Sequence, residues 1–344
     1  MSIRNRVGYH RRESAWPRRF ERRFEEISRN AEGQTGRTPS VPEVSVVIPA
    51  HNAEATLASA LASVSAQTLE DYEILVCDDG SEDRTRLLAK EFLTERGVGD
   101  WTILELGGVG AAGARNRGIA KARGEFVAFL DDDDTWAPEK LALCVSKLRE
   151  GPFDLVCHSE IWAYDNGKRV ERRYSELFDR RQPPIVSLLR NNPFSTSAVV
   201  VRRDRLMDAG PFDESLPSAE DYDLWIRLVT LPGFKIGFID VPLGIYAVRE
   251  GGESSKIDRR LMALLAIGEK YRGALREASA WGWLEHHKYR GKAYFTSGIR
   301  YARQGRRAHG TLMALRGFAM WPFRQGWVSL AMKDWIRSRR GEAE

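Results

Sequence analysis

The residues with the clearest capacity for chemistry are four consecutive carboxylates, Asp131, Asp132, Asp133 and Asp134, which follow the apolar run Phe126-Val127-Ala128-Phe129-Leu130 and precede Trp136. A β-prone run that ends in acid is the pattern of a buried strand delivering carboxylates to the rim of a sheet. The rim of an open α/β sheet is where ligands bind. Adjacent carboxylates repel one another, and away from bulk water that repulsion raises pKa values unless a cation intervenes. Hard oxygen donors favour Mg²⁺ or Mn²⁺, held by one or two carboxylates together with substrate phosphates. The run therefore reads as a metal-assisted nucleotide site or, taken alone, as a solvated acidic turn ahead of a helix that starts at Pro138.

The elements that must position these acids alternate along the chain. Strands are expected over 44–48, 72–77, 101–106 and 125–130, and helices over 53–66, 83–96, 113–122 and 138–149. Short apolar strands alternating with helices imply a doubly wound, mostly parallel α/β sheet covered on both faces. Its strand ends carry Pro49-Ala50-His51-Asn52, then Asp78-Asp79-Gly80-Ser81, then a glycine loop, then the Asp run. Three polar clusters and one backbone-exposing loop thus converge on one edge. Further strands are expected at 155–159, 161–164 and 197–201, with Asp165-Asn166-Gly167 as a hairpin turn. A helix follows from Glu220, in which Tyr222, Trp225, Ile226 and Val229 share one face and Glu220 and Asp221 occupy the first turn, where the helix dipole favours carboxylates.

The glycine loop is Gly108-Val109-Gly110-Ala111-Ala112-Gly113, a literal GxGxxG between a strand and a helix, with Asp131 eighteen residues past its last glycine. This matches the dinucleotide-binding fingerprint, so an NAD-dependent oxidoreductase has to be weighed. Against it, the fingerprint belongs on the first strand of its unit and calls for one acid, whereas here it lies on the third strand and leads to four. Such an enzyme also leaves Asp78-Asp79 and Glu220-Asp221 unexplained. The glycines mark a sharp turn or a close backbone approach to a ligand, and Arg115, just inside the helix, is placed to contact a phosphate.

Across 344 residues the net charge of +5 is uneven. Residues 1–40 hold ten Arg against five Glu, residues 256–344 hold nineteen basic against seven acidic residues, and the stretch between them is net −12. That division suggests a basic N-terminal arm over 1–40, an acidic catalytic body over 41–255 and a basic, Trp-rich helical region over 256–344. Basic flanks suit an anionic surface such as phospholipid headgroups, and no nucleic-acid module is recognisable. The three cysteines lack metal-ligand spacing and read as small core residues of a reduced, cytoplasmic protein. No apolar run is long enough to span a membrane. In the last helix Trp327, Ala331 and Trp335 form a stripe beside Lys333 and Arg337, which suits either an interfacial membrane helix or a helix packed on the catalytic body.

Three blocks carry a family resemblance: VSVVIPAHNAEATLASALASVSAQTLEDYEILVCDDGSEDRT, GARNRGIAKARGEFVAFLDDDDTW and AGPFDESLPSAEDYDLWIRL. In order and spacing they resemble glycosyltransferase family 2 enzymes of the GT-A fold, over roughly residues 43–250. The resemblance implies a metal-dependent, inverting transferase that uses a nucleotide diphospho-sugar, most often UDP-linked, and a glycan or lipid-linked acceptor in surface-polysaccharide synthesis.

On that resemblance Pro49, Ala50, Asn52 and Glu54 match the first nucleotide-contacting segment, Asp79 the acid that recognises the base, and Arg115 a basic residue at the edge of the nucleotide site. Asp131 and Asp133 match the DxD metal pair, with Mn²⁺ or Mg²⁺ as cofactor and Asp132 near the ribose or metal. Asp221 matches the catalytic base, Glu220 its neighbour on the acceptor side, and Trp225 of the same element is a candidate substrate contact. Many relatives carry a His after the position of Tyr246, where this chain reads Ala247-Val248-Arg249. Arg249 is the residue available there for the diphosphate. A catalytically silent GT-A domain is the alternative of another class, and it predicts damage to the DxD or the base, neither of which is damaged.

Overall fold

The structure, a computed structural model, describes residues 33–36, 41–192, 194–249 and 256–321. The remainder of the expected basic arm, residues 250–255 and the expected final helix with Trp327, Ala331 and Trp335 lie outside the described residues. Among the described residues one sheet of ten strands organises the fold. Its edge strand is Gly33–Gly36 (β1), and inside it lie Val44–Ala50 (β2), Tyr72–Asp78 (β3), Trp101–Glu105 (β4) and Phe126–Phe129 (β5). In the order β4-β3-β2-β5 these run parallel, while β1 pairs antiparallel with β4. The edge strand falls within the expected arm, where the Gly/Thr composition gave no sign of it.

The period of two along these strands divides the core. Val46, Ile48, Ile74 and Val76 face one side, packed with Leu57–Ser65 (α1), Thr85–Glu95 (α2) and Lys140–Glu150 (α4). Val47, Leu75 and Cys77 face the other side, under Gly110–Lys121 (α3). Helices on both faces are why these strands read as continuous apolar runs. All three cysteines are free and buried in this core.

Beyond β5 the sheet becomes mixed. Thr135–Trp136 (β6), Leu155–Tyr164 (β7), Arg169–Arg172 (β8), Val199–Arg202 (β9) and Ile236–Val248 (β10) complete it. Between β5 and β7 lies β9, antiparallel to both, and β10 runs parallel to β7. The two segments expected between 155 and 164 form one strand, and Gly167 takes the left-handed conformation, φ 82°, at the hairpin to β8. The sequence reading left β10 unassigned. Its register slips around Pro242, a residue confined in sheets to edges and bulges, and this obscures the pattern.

Tyr174–Leu177 (α5), Pro184–Arg190 (α6), Arg203–Ala209 (α7) and Glu220–Thr230 (α8) cover the second half. Ile257–Lys270 (α9), Arg272–Ala278 (α10), Gly282–Arg303 (α11) and Arg307–Met320 (α12) follow. Of these, α9 to α11 send Ala263, Ile267, Tyr271, Leu275 and Tyr289 into the same core as α8. Arg190 grips Glu285 with two hydrogen bonds of 2.9 and 2.8 Å, and the Tyr271 hydroxyl donates to Asp223 at 2.9 Å. The pair α11 and α12 meets through glycines: a Cβ on Gly298 would lie 2.6 Å from the Gly310 carbonyl oxygen, and one on Gly317 2.6 Å from that of Gly291.

Candidate active site

The loops after β2 and β3 are laced together by short polar side chains. Asn52 sits in the left-handed region, φ 51°, where asparagine is among the best tolerated side chains. Its N–H donates to the Ser81 hydroxyl at 2.9 Å, and its side-chain oxygen accepts from the Glu82 N–H at 2.9 Å. Glu54 accepts from the Arg84 N–H at 3.1 Å, and the Ala53 N–H donates to Thr85 at 2.7 Å. Pro49 and Ala50 close β2 beneath this loop, and Ala50 accepts from the Asp79 N–H at 2.8 Å.

Asp79 explains the glycine loop. Its two carboxylate oxygens accept from the N–H groups of Val109 and Gly110, at 2.6 and 2.7 Å. Gly108 and Gly110 adopt φ of 72° and 77°, and a Cβ on Gly80 would press on the Gly108 nitrogen at 3.3 Å. The glycines let the chain fold over Asp79, whose carboxylate takes the anion's place at the start of α3. A dinucleotide pyrophosphate would need those same donors, so the fingerprint is a coincidence of spacing. An ionised carboxylate has about four acceptor positions, so Asp79 retains capacity toward a ligand.

The acid run folds into a turn, with the Asp134 N–H donating to the Asp131 carbonyl at 3.1 Å. Asp134 is a strut at its centre, almost fully buried, accepting from the Ser197 hydroxyl at 2.5 Å and from the Ala247 N–H at 2.8 Å. It ties the turn to β10 and to the 3₁₀ turn Thr196–Ala198. Burial, with Asp131 and Glu160 adding to it, raises its pKa well above the carboxylate range. Sequence reasoning gave Asp134 no role of its own, and the one available signal was that the run is a residue longer than a DxD. Asp132 accepts weakly from the His51 N–H at 3.3 Å, and burial together with the charges of Asp133 and Asp131 pushes it up to about 7. Burial and Asp131 also raise Asp133, opposed by Arg249, whose Nε lies 3.5 Å from its carboxylate.

Arg115 bridges the two groups of acids. It donates to Asp131 at 2.7 Å and to Glu220 at 2.8 Å, its head packed over the Phe212 ring. Burial opposes its charge, but Asp131 and Glu220 more than offset that and hold it firmly protonated. α8 begins after Ala219, which is forced to φ 59°, a conformation costing an L-residue roughly 1–2 kcal/mol. This turn directs Glu220 to Arg115 and leaves Asp221 half-buried, accepting from the Tyr222 N–H at 2.7 Å and the Thr196 hydroxyl at 3.3 Å. Burial, then Glu220, pushes Asp221 up to about 6 against the pull of Arg115 and Arg260. Thr196 is a site residue that the sequence did not announce. Trp225 corrects the expectation of a substrate contact: it has no exposed surface and is boxed in by the rings of Phe129, Phe194 and Phe212 at 6.3, 6.3 and 6.4 Å. Four residues past Asp221, it lies one turn along α8, on the face turned to the core.

Among the described residues no three His, Cys, Asp or Glu side chains converge as a metal cage. The donors present do fit a hard cation that takes two carboxylates and completes its shell with ligand oxygens and water. Asp131 and Asp133 share one turn with Asp132, and among the described residues Arg115 and Arg249 pair with them there. The raised values of Asp132 and Asp133 come first from burial and then from that excess of negative charge.

The sheet, parallel in one half and mixed in the other, thus carries an acid turn at its rim and a second acid pair at a helix start. The sequence profile of Glycosyl transferase family 2 matches residues 45–215. Glycosyltransferase AglE of Haloferax volcanii is 32% identical over 221 residues, 64% of this chain and 71% of that protein. The Escherichia coli UDP-Glc:alpha-D-GlcNAc-diphosphoundecaprenol beta-1,3-glucosyltransferase WfgD is 31% identical, covering 57% and 74%. The amylovoran biosynthesis glycosyltransferase AmsB of Erwinia amylovora is 32% identical, covering 59% and 68%. Among solved structures, S. aureus TarS 1-349 in complex with UDP-GlcNAc superposes with a TM-score of 0.55 at 19% identity over 79% of this chain and 90% of that one. Mannosyltransferase PcManGT from Pyrobaculum calidifontis, in complex with GDP-Man and Mn²⁺, reaches 0.57 at 18% identity over 91% of each. These two likenesses are of fold. The chain belongs to glycosyltransferase family 2 and is a glycosyltransferase.

Proposed function

We propose that the enzyme transfers a sugar, with inversion, from a nucleotide diphospho-sugar, UDP-linked by preference, to a hydroxyl of a glycan or lipid-linked acceptor in surface-polysaccharide synthesis. The observation that carries this reading is the placement of Asp221. It is a half-buried carboxylate pushed up to about 6 and joined to the acid turn through Glu220, Arg115 and Asp131. A base poised near the working pH is suited to accept a proton in the transition state, an effect worth about 10²–10⁴-fold. The acceptor hydroxyl attacks the anomeric carbon as its proton passes to Asp221. The bond from that carbon to the diphosphate breaks in the same displacement, and its electron pair stays on the leaving oxygen. No protein nucleophile is needed, so one displacement inverts the configuration.

In this reading Asp131 and Asp133 would hold Mn²⁺ or Mg²⁺, which would supply positive charge against the diphosphate. Arg249 lies beside Asp133 and faces the same leaving group. Pro49, Ala50, Asn52, Glu54 and Asp79 form the nucleotide wall, and Asp132 closes it through His51. The Mn²⁺ and GDP-Man of PcManGT, the UDP-GlcNAc of TarS and the diphosphoundecaprenol acceptor named for WfgD support this class of donor, cofactor and acceptor.

The reading also assigns residues 41–255 as the catalytic unit, with residues 256–344 as a helical extension that touches the inner face of the cell membrane. Among the described residues no helix is long and apolar enough to cross a membrane. Trp281, Trp283, Leu312, Leu315 and Phe318 are nevertheless exposed on a basic region, which suits interfacial contact. Flotation with anionic liposomes should be lost in a Leu312→Asp/Leu315→Asp variant, and retention in that variant would remove the assignment.

The donor reading is tested by thermal shift with UDP, GDP, dTDP and NAD, each with and without Mn²⁺. One nucleoside diphosphate should stabilise the chain, and only with metal present. Stabilisation by NAD alone would overturn the reading. NMR of the product's anomeric configuration then tests inversion.

A further inference from the structure

Glu160, on β7, is a buried carboxyl group that the proposed mechanism leaves unused. It has no exposed surface, and burial pushes it up to about 7 against hydrogen bonds from Tyr174 and Ser195. Burying a carboxyl group is costly unless its oxygens are bonded. The Tyr174 hydroxyl donates to one oxygen at 2.5 Å and the Ser195 hydroxyl to the other at 3.2 Å. Tyr174 opens α5 and accepts in turn from the indole N–H of Trp162 at 3.3 Å. Ser195 stands at the start of a turn that reaches both acid groups of the site.

The topology of the sheet explains that reach. Between β5 and β7 lies β9, antiparallel to both, with Ala128 and Val156 opposite Val200 and with Cys157 opposite Val199. Its entry, from Ser195 to Ala198, is therefore delivered to the edge where β5 gives way to Asp131 and where β7 carries Glu160. Successive side chains of this entry then go to different acids. Ser195 donates to Glu160, Thr196 to Asp221 at 3.3 Å and Ser197 to Asp134 at 2.5 Å. Ser197 also accepts from the Asp131 N–H at 3.1 Å, and its carbonyl accepts from the Trp136 indole N–H at 2.9 Å. Its own end of the turn is thus pinned to the acid turn. Ser195 is only half-buried, and Glu160, itself fixed by the short bond from Tyr174, holds it. The Thr196 contact is long for a hydroxyl donor, so it survives only while the turn is held at both ends.

We propose that Glu160 is a positioning residue for Asp221: by anchoring Ser195 it keeps the Thr196 hydroxyl in reach of the base's carboxylate. The proposal rests on the reading of Asp221 as the general base and adds to it the residues that aim it. Because the same carboxyl group holds Tyr174, the aim of the base is also tied to α5.

The test follows the Asp221 carboxyl carbon by NMR in the full chain labelled with ¹³C at aspartate, its signal identified by its loss in Asp221→Asn, through a pH titration without ligand or metal. The groups whose charge reaches Asp221 are Glu220 and Tyr222 on α8, Arg115 on α3, Arg260 on α9 and Tyr246 on β10. Those that reach Glu160 are Asp131, Asp134, Lys140, Cys157 and Tyr174. Substitutions at Ser195 and Thr196 change none of them. The wild-type midpoint, near about 6, should rise by roughly half to one pH unit in Thr196→Val, the worth of one hydrogen bond to the charged form. It should rise by a smaller step in Ser195→Ala, and Thr196→Ser and Ser195→Thr should each restore it. Glu160→Gln keeps an acceptor for Ser195 and should leave the midpoint in place, whereas Glu160→Leu keeps none and should raise it as Ser195→Ala does. An unchanged midpoint in Ser195→Ala would overturn the proposal, as would a rise that Ser195→Thr fails to reverse; should Glu160→Leu not fold, Ser195→Ala still decides. The two readings fail separately. Transfer retained in Asp221→Asn would remove the base while these shifts stood, and absent shifts beside an inactive Asp221→Asn would remove Glu160 alone.

Discussion

The two edges of the site treat their carboxylates in opposite ways. On the side proposed for the nucleotide Asp79 and Glu54 accept hydrogen bonds from backbone N–H groups, and Asn52 locks the same loops. On the side proposed for the reaction Asp132 and Asp133 crowd one turn, and among the described residues Asp221 accepts only from the Tyr222 N–H and, at long range, the Thr196 hydroxyl. The first arrangement fixes a shape and contributes stability. The second stores unfavourable charge that a cation, a substrate or a proton can relieve, and perturbed carboxylates in a cleft are candidates for chemistry, although the buried strut Asp134 is raised as well. Substitution should therefore affect stability at one edge and turnover at the other.

The largest effect is expected at Asp221→Asn, where kcat for transfer should fall by about 10²–10⁴-fold while donor affinity holds. Its stability should move the other way. The folded pKa of Asp221 lies above the unfolded value, so its favourable term is present at low pH and is lost as pH rises through about 6. The neutral amide avoids that loss, so at pH 8 the variant should melt no lower than the wild type by calorimetry.

Next in size, Asp133→Asn or treatment with EDTA should reduce transfer by at least about 10²-fold, since the cation is assigned several kcal/mol of transition-state stabilisation. Metal-dependent stabilisation by UDP should disappear at the same time, with the unliganded melting point unchanged or higher. Asp79→Ala strands the N–H groups of Val109 and Gly110, and denaturant titration should show a loss of about 2–3 kcal/mol. A loss of turnover there without a loss of stability would blur the contrast between the edges. The smallest effect is a control remote from both. Gly298→Ala forces a Cβ against the Gly310 carbonyl and should cost about 1–2 kcal/mol by chemical denaturation, with kcat retained below the melting range.

Much of this was legible in the sequence because the physics involved is local. Continuous apolar runs such as Val44–Ile48 and Phe126–Leu130 require burial on both faces, and four adjacent acids after a strand require a rim. The resemblance nominated Asp221 and the acid pair of the turn. Less visible were features that depend on partners distant in sequence. Nothing near Asp134 signals that Ser197 and Ala247 will bury it as a strut. Nothing near Gly108 signals that Asp79, about thirty residues earlier, will occupy the helix start that a pyrophosphate would otherwise claim. Trp225 was assigned both a buried face and a substrate contact, and the packing of three aromatic rings around it leaves only the first. The slip in β10 at Pro242 hid a strand of thirteen residues, and the glycine pairs between α11 and α12 become meaningful only when the two helices are brought together.

The central claim is that Asp221 is the general base, and the pH dependence of kcat in the wild type and in Asp221→Asn tests it most directly. The wild type should show a limb that rises with pH through an apparent pKa near about 6, and the variant should show a low rate without that limb. A variant that keeps both the limb and a rate within a few-fold of the wild type would contradict the account.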